Sequence, residues 1–161
     1  MEECKYMYRL KLGRSINFGE FFEKNISEAE ENGFDTLDFD LTTFWHERDK
    51  EIELYKRIEQ GLKRIEKSNL ALNGVHISFG PNWEFSELNE EKRLAALTQT
   101  KEIFWRVDTA KPFCYIVHGS FEPIKAEERA AKLGQMKTSM AELVSYTKAK
   151  VCLEDLPRTC L

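Results

Sequence analysis

A chain of 161 residues, 42% hydrophobic and 32% charged, has the size and composition of one folded domain, not of two well-packed ones or a disordered segment. Its 24 basic residues against 28 acidic ones leave a net charge of −4, so the broad basic excess needed for sequence-independent nucleic-acid binding is absent and only a local patch could supply it. No apolar run approaches the roughly 20 residues that span a bilayer, and Met1-Glu2-Glu3-Cys4-Lys5 lacks the basic and apolar segments of a secretory leader.

The first apolar run is Tyr6 to Leu12, closed by Gly13, and reads as a strand. Asn17 stands three residues before Glu20, which resembles a capping box, and Phe18, Phe22, Ile26 and Ala29 follow at helical spacing. Gly33 is placed to stop this helix in a left-handed conformation. Thr36 to Leu41 alternates as a second strand. Asp49 can cap a second helix with the stripe Ile52, Tyr55, Ile58, Leu62 and Ile65, and with Glu53–Arg57 and Glu59–Lys63 pairs on its solvated side. Leu70 to Ile77 is a third strand, followed by a Gly80-Pro81-Asn82-Trp83 loop. A third helix is expected over Asn89 to Thr109, with Leu94, Leu97, Phe104 and Val107 inward. Pro112 opens a fourth strand, Phe113 to His118. A fourth helix runs from about Ala126 to Ala149, with Leu133, Met136, Met140, Leu143 and Val144 inward, and Val151 to Glu154 is a fifth strand.

Strands separated by helices imply right-handed crossovers and a parallel sheet, hence an α/β fold. Five strands and four helices fit either an open doubly wound sheet or part of a (β/α)8 barrel. In both, the carboxyl ends of the strands carry the site. Polar residues collect there: Asp38 and Asp40 on strand two, His76 and Ser78 after strand three, His118 and Ser120 after strand four, Glu154 and Asp155 on strand five. Two of the chain's three histidines thus close adjacent apolar strands. Two imidazoles and a carboxylate suit zinc, manganese or iron, although each alone could be a hydrogen-bonded structural residue. Asp38 and Asp40 share one strand face. Trp45 and Trp83 fall in loops on the same side, as a wall for a sugar or as packing residues, and His46 reads as a surface loop residue.

Other chemistries lack their signatures. Leu12-Gly13-Arg14-Ser15 is neither a dinucleotide fingerprint nor a Walker loop, and no serine sits in a G-x-S-x-G elbow. The four cysteines, Cys4, Cys114, Cys152 and Cys160, form no C-x-x-C pair and read as reduced thiols, which suggests a cytoplasmic protein. Cys152 reads as a buried filler.

Gly33-Phe34-Asp35-Thr36-Leu37-Asp38-Phe39 resembles the second strand of xylose isomerase-like barrels, the sugar phosphate isomerases/epimerases and the related endonuclease IV group. Val75-His76, Val117-His118-Gly119-Ser120 and Val151-Cys152-Leu153-Glu154-Asp155 are similar to strands three, four and five of the same family, in order and along essentially the whole chain. The resemblance implies a partial (β/α)8 TIM barrel over residues 1–161, because the full fold needs eight strands and about 250 residues. That leaves a fragment, a truncated gene product or a half-barrel that assembles, with open sheet edges that invite a second copy. It also implies that Glu154 is a metal ligand and acid/base carboxylate, that His76 and His118 bind metal or substrate, and that Asp38 stands at a substrate-side position; Trp45, from its loop, is a further candidate substrate contact. The implied cofactor is a divalent metal (Mn, Zn, Mg or Co) and the implied ligand a sugar or sugar phosphate, with no membrane or nucleic-acid partner.

The implied activity is metal-assisted proton transfer alpha to the carbonyl of a ketose or aldose. The alternatives are an endonuclease IV-like zinc phosphodiesterase, an inactive barrel piece that serves as a binding or assembly module, and a flavodoxin-like domain.

Overall fold

The computed structural model describes residues 10–19, 21–42, 51–120 and 123–154. In chain order these form β1 (Gly13–Asn17), α1 (Phe22–Glu31), β2 (Thr36–Asp40), α2 (Glu51–Glu66), β3 (Ala71–His76), α3 (Glu90–Val107), a 3-10 turn (Asp108–Ala110), β4 (Cys114–His118), α4 (Arg129–Tyr146) and β5 (Lys150–Glu154). The strands make one parallel sheet in the order β1-β2-β3-β4-β5. This order decides between the two architectures. A doubly wound sheet reverses its strand order at a switch point, whereas a barrel lays each strand beside the last. No reversal occurs here, so the sheet is a sector of a barrel.

The alternation along each strand separates two faces. Leu37 and Phe39, Val75, and Tyr115 and Val117 are fully buried against the helices, whereas Asp38, Asp40 and His76 on the opposite, concave face stay partly open. The core therefore lies between the convex face of the sheet and its helices. Phe18 packs edge-on against Phe39, with ring centroids 4.4 Å apart. Phe104 of α3 stacks on Tyr115 of β4 at 3.8 Å, while the buried Tyr115 hydroxyl donates to Asp108 at 2.7 Å. That burial and the adjacent carboxylate push the phenol far above its usual range. Gly33 follows α1 at φ +74°, the left-handed position its missing side chain allows.

Several expectations are corrected. Among the described residues the first strand is Gly13–Asn17; of the expected Tyr6–Leu12 strand, Leu10 and Leu12 are 84% and 56% exposed outside it, and residues 1–9 lie outside the described set. What selects the later segment is Ile16, which is 1% exposed and paired in register with Phe39. Asn17 consequently ends β1; its side chain accepts from the Gly19 N–H at 2.9 Å, and α1 begins after Phe21 without a side-chain cap. Glu20 and Asp49 lie outside the described residues. On α2, Ile52 is exposed and Leu54 takes the inward place. Glu59 pairs with Arg106 of α3, while Glu53–Arg57 forms as expected at 2.8 Å.

The inner face of α3 is Arg93, Ala96, Leu97, Thr100, Ile103, Phe104 and Val107, so Leu94 points outward. On α4, Leu133 and Val144 are more exposed than expected, and the buried positions are Met136, Ser139 and Leu143. Cys152 is exposed on the concave face, not buried; it and Cys114 are free thiols, whereas Cys4 and Cys160 lie outside the described residues.

Among the described residues β1 and β5 each have one unpaired edge. No helix of the described residues is long and apolar enough to cross a membrane.

Candidate metal centre

Parallel pairing brings the last residues of three adjacent strands together. His76 ends β3, His118 ends β4 and Glu154 ends β5, with His118 opposite Glu154 in register. The Nε2 atoms of His76 and His118 are 2.8 Å apart. Glu154 Oε2 lies 3.0 Å from His76 Nε2 and 3.9 Å from His118 Nε2. One ligand atom from each of the three residues falls within 4.8 Å of the others.

His118 is the buried member, its side chain 4% exposed, while His76 and Glu154 open toward solvent. Phe79 packs on the His118 ring at 4.6 Å and the His76 ring sits 4.8 Å away. Burial, and then the neighbouring His76, push the His118 imidazole below its ordinary pKa; Glu154 and Asp40 oppose that shift. His118 is therefore a neutral imidazole at neutral pH, the form that ligates a cation.

The donor set fits a divalent metal. Two imidazole nitrogens and a carboxylate oxygen aim at one volume, and a single shared proton cannot satisfy all three lone-pair directions. Bonds of 2.0–2.1 Å in a tetrahedral zinc site put neighbouring ligand atoms about 3.3 Å apart, and the three separations here bracket that figure. Nδ1 of His118 is buried with no hydrogen-bond partner among the described residues. Nothing on that side of the ring competes to orient it, so its orientation rests on packing and on the Nε2 contacts. Three protein ligands leave room for a further oxygen, the arrangement of a catalytic rather than a structural metal site.

Asp38 and Asp40 both face the concave side, but at different depths. Asp40 pairs in register with His76 and accepts from the Thr42 N–H at 2.9 Å. Asp38 lies one alternate position deeper, where its carboxylate accepts from Asn73 at 2.9 Å; a side chain at Gly74 would start 2.5 Å from its Oδ1. The structure thus brings Asp40, not Asp38, beside the histidines. The signal for Asp40 was strand alternation: two residues past Asp38 at a strand end. Trp45, His46 and Asp155 lie outside the described residues, and Trp83 is a packing residue, 6% exposed.

Sequence reasoning missed Glu84. Its buried carboxylate accepts from Lys132 Nζ at 2.5 Å, Ser86 Oγ at 2.9 Å and Ser120 Oγ at 3.2 Å. It ties the loop after β3 to α4 and to the loop after β4, the two loops that flank the histidines. Nothing in the spacing of Glu84 and Lys132, 48 residues apart, announces the pair.

No family model and no curated protein matches the sequence. Solved structures do match the fold. D-psicose 3-epimerase, crystallised in the presence of D-fructose, superposes with a TM-score of 0.67 at 15% identity, over 92% of this chain and 53% of that one. The 3-keto-D-glucoside 4-epimerase YcjR from E. coli gives 0.66 at 18% identity, over 92% and 58%. The IolI protein with a bound zinc atom gives 0.60 at 15% identity, over 91% and 53%. The chain thus spans about half the length of these structures. At such identities the likeness speaks for the fold. In fold, this chain is a sector of a (β/α) barrel that corresponds to about half of each of these structures.

Proposed function

We propose that His76, His118 and Glu154 hold a divalent metal ion, and that this centre serves a sugar isomerase or epimerase acting on a ketose, an aldose or their phosphates. The observation that carries the reading is the convergence of His76 Nε2, His118 Nε2 and Glu154 Oε2 at the carboxyl edge of the sheet. The sugar epimerases with the same fold support the substrate class.

A bound divalent cation would polarise a sugar carbonyl and stabilise the negative charge that develops when the neighbouring carbon loses its proton. The chain's own groups supply the rest. His118 and His76 would hold the ion through their facing Nε2 atoms. Glu154 offers Oε2 to the cluster, and its Oε1 makes no hydrogen bond among the described residues, so the same carboxylate can accept a proton from carbon and return it. Asp40, beside His76, is placed to accept a hydrogen bond from a sugar hydroxyl. Asp38 and Trp45 remain in the proposal as substrate contacts from the deeper face and the following loop.

The test has two parts. The chain should bind Zn2+, Mn2+ or Co2+ with one ion per copy, and Glu154→Gln should lower the affinity. Ketohexoses incubated with the metal-loaded protein in D2O should take up deuterium alpha to the carbonyl. Absence of metal binding sinks the first claim; metal binding without exchange on any ketose or aldose sinks the second.

A second reading is favoured by one observation. Both histidines point their Nε2 atoms into the cluster, and a two-imidazole donor set suits zinc and hydrolytic chemistry. An endonuclease IV-like phosphodiesterase would use it to activate water. Incision of duplex DNA carrying an abasic site, with and without zinc, separates the two readings.

A further inference from the structure

A second concave site lies at the opposite end of the sheet, where the strands begin. A cleft of about 1040 Å³ is bounded by the first residues of β2, β3 and β5 and the turn that enters β4. Four lysines line it: Lys11 just before β1, Lys111 before β4, Lys148 before β5, and Lys150 at the start of β5. None of the four makes an ion pair among the described residues, although the chain carries a net charge of −4. The one acid in the lining, Asp108, is engaged: its carboxylate accepts from Tyr115 at 2.7 Å and from Thr147 at 2.9 Å.

Four ammonium groups line the cleft against a single carboxylate, which none of them pairs with, so positive charge is in excess there. They converge here because the loops before three strands and the first residue of β5 all deliver one, and an anion of high charge density relieves that excess. Two aromatic rings stand in the same wall, Phe113 and Tyr146, 58% and 45% exposed. Lys150 Nζ sits over the Phe113 ring at 4.2 Å, which holds that ammonium at the cleft.

We propose that this cleft binds a polyphosphate group, with the four lysines on the phosphate oxygens. Two sources share that chemistry, an inorganic polyphosphate and a nucleoside triphosphate whose base rests on an exposed ring. A single phosphate would meet only some of the four charges, so the number of lysines selects a chain of phosphates. The site is separate from the metal centre, which lies at the last residues of the strands, and does not depend on it.

Titration calorimetry on the metal-free full chain at low ionic strength tests this, with inorganic tripolyphosphate, ATP and inorganic phosphate as probes. Tripolyphosphate should bind about tenfold or more tightly than phosphate, and weaken as salt rises. Lys111→Gln with Lys148→Gln should reduce the affinity about tenfold or more, while Lys56→Gln with Lys137→Gln, exposed elsewhere, should leave it unchanged. Equal affinity for tripolyphosphate and ATP assigns the site to the phosphate chain alone, and tighter ATP binding assigns it to a nucleotide. No binding, or equal loss in both double variants, overturns the proposal. Circular dichroism of both variants checks that the fold is kept, and unchanged metal stoichiometry keeps the outcome independent of the histidine cluster.

Discussion

His118 and His76 face each other ring nitrogen to ring nitrogen, 2.8 Å apart, with the first buried and the second open to solvent. Each ring has a different job if a cation joins them. The buried ring fixes position through its packing on Phe79, and the open ring can adjust. His118→Ala is therefore expected to abolish metal binding at micromolar concentration, and His76→Ala to weaken it about 10- to 100-fold, measured by titration with Zn2+ or Co2+. Equal, unimpaired binding in both variants would remove the histidines from the site.

Glu154→Gln separates charge from shape. The amide keeps an oxygen near His76 but loses the negative charge and the proton acceptor. Metal affinity should fall modestly and proton exchange on a sugar by orders of magnitude, read by deuterium incorporation. A variant that exchanges protons at the normal rate would assign the base elsewhere.

The Glu84–Lys132 pair offers a stability test. Both side chains are largely buried, 8% and 14% exposed. Lys132→Met leaves the Glu84 carboxylate with only the two serine hydroxyls, and removing one partner of a buried pair costs about 3 kcal/mol. Urea denaturation should show a loss of that order. If the loss is under about 0.5 kcal/mol, as for an exposed pair, the carboxylate is not relying on Lys132.

Gly61 of α2 sets two effects against each other. Alanine raises helix propensity by about 1 kcal/mol. The new methyl, however, would sit 2.8 Å from Phe18 Cζ and 3.2 Å from Phe39 Cζ, two rings that are fully buried and cannot swing aside. Overpacking costs about 1–3 kcal/mol. Gly61→Ala should thus be neutral to destabilising, by up to about 2 kcal/mol, and a clear rise in melting temperature would contradict the packing.

Acid sensitivity has an identifiable contributor in Glu90. Its carboxylate is held below the usual range by the hydrogen bond from Arg93, which also reaches Ser139 on α4. A lowered folded pKa means stability that is full above the ordinary carboxylate value and is lost as pH falls through the lowered one. Glu90→Gln should be less stable than the parent near neutrality, and the gap should close in acid. A gap of the same size at both pH values would show that the charge is not involved.

Strand periodicity made the site legible. Two histidines and a glutamate that close three successive strands must emerge on one edge of a parallel sheet, and they do. Asp40 followed the same rule. The barrel itself was not legible from periodicity, which left a doubly wound sheet equally open; the unbroken strand order settled it.

What stayed hidden had physical reasons. Gly13–Asn17 buries only Ile16 against the helices, so its pattern was weaker than that of Tyr6–Leu12. Arg93 and Thr100 occupy inward positions of α3, so the apolar pattern there pointed to Leu94 instead. Arg93 is tolerated inside because Glu90 and Ser139 satisfy its guanidinium. Cys152 looked like a core residue because it sits inside an apolar run, where a free thiol behaves as a small hydrophobe, whereas this sheet leaves its concave face open at β5.

The most direct test is titration of Co2+ into the metal-free chain, followed by visible absorption, beside His118→Ala. The account predicts one cobalt per chain with the intense absorption bands of a low-coordinate site, displaced by Zn2+ and absent from the variant. A featureless titration, or the same spectrum from His118→Ala, would contradict a metal centre on His76, His118 and Glu154.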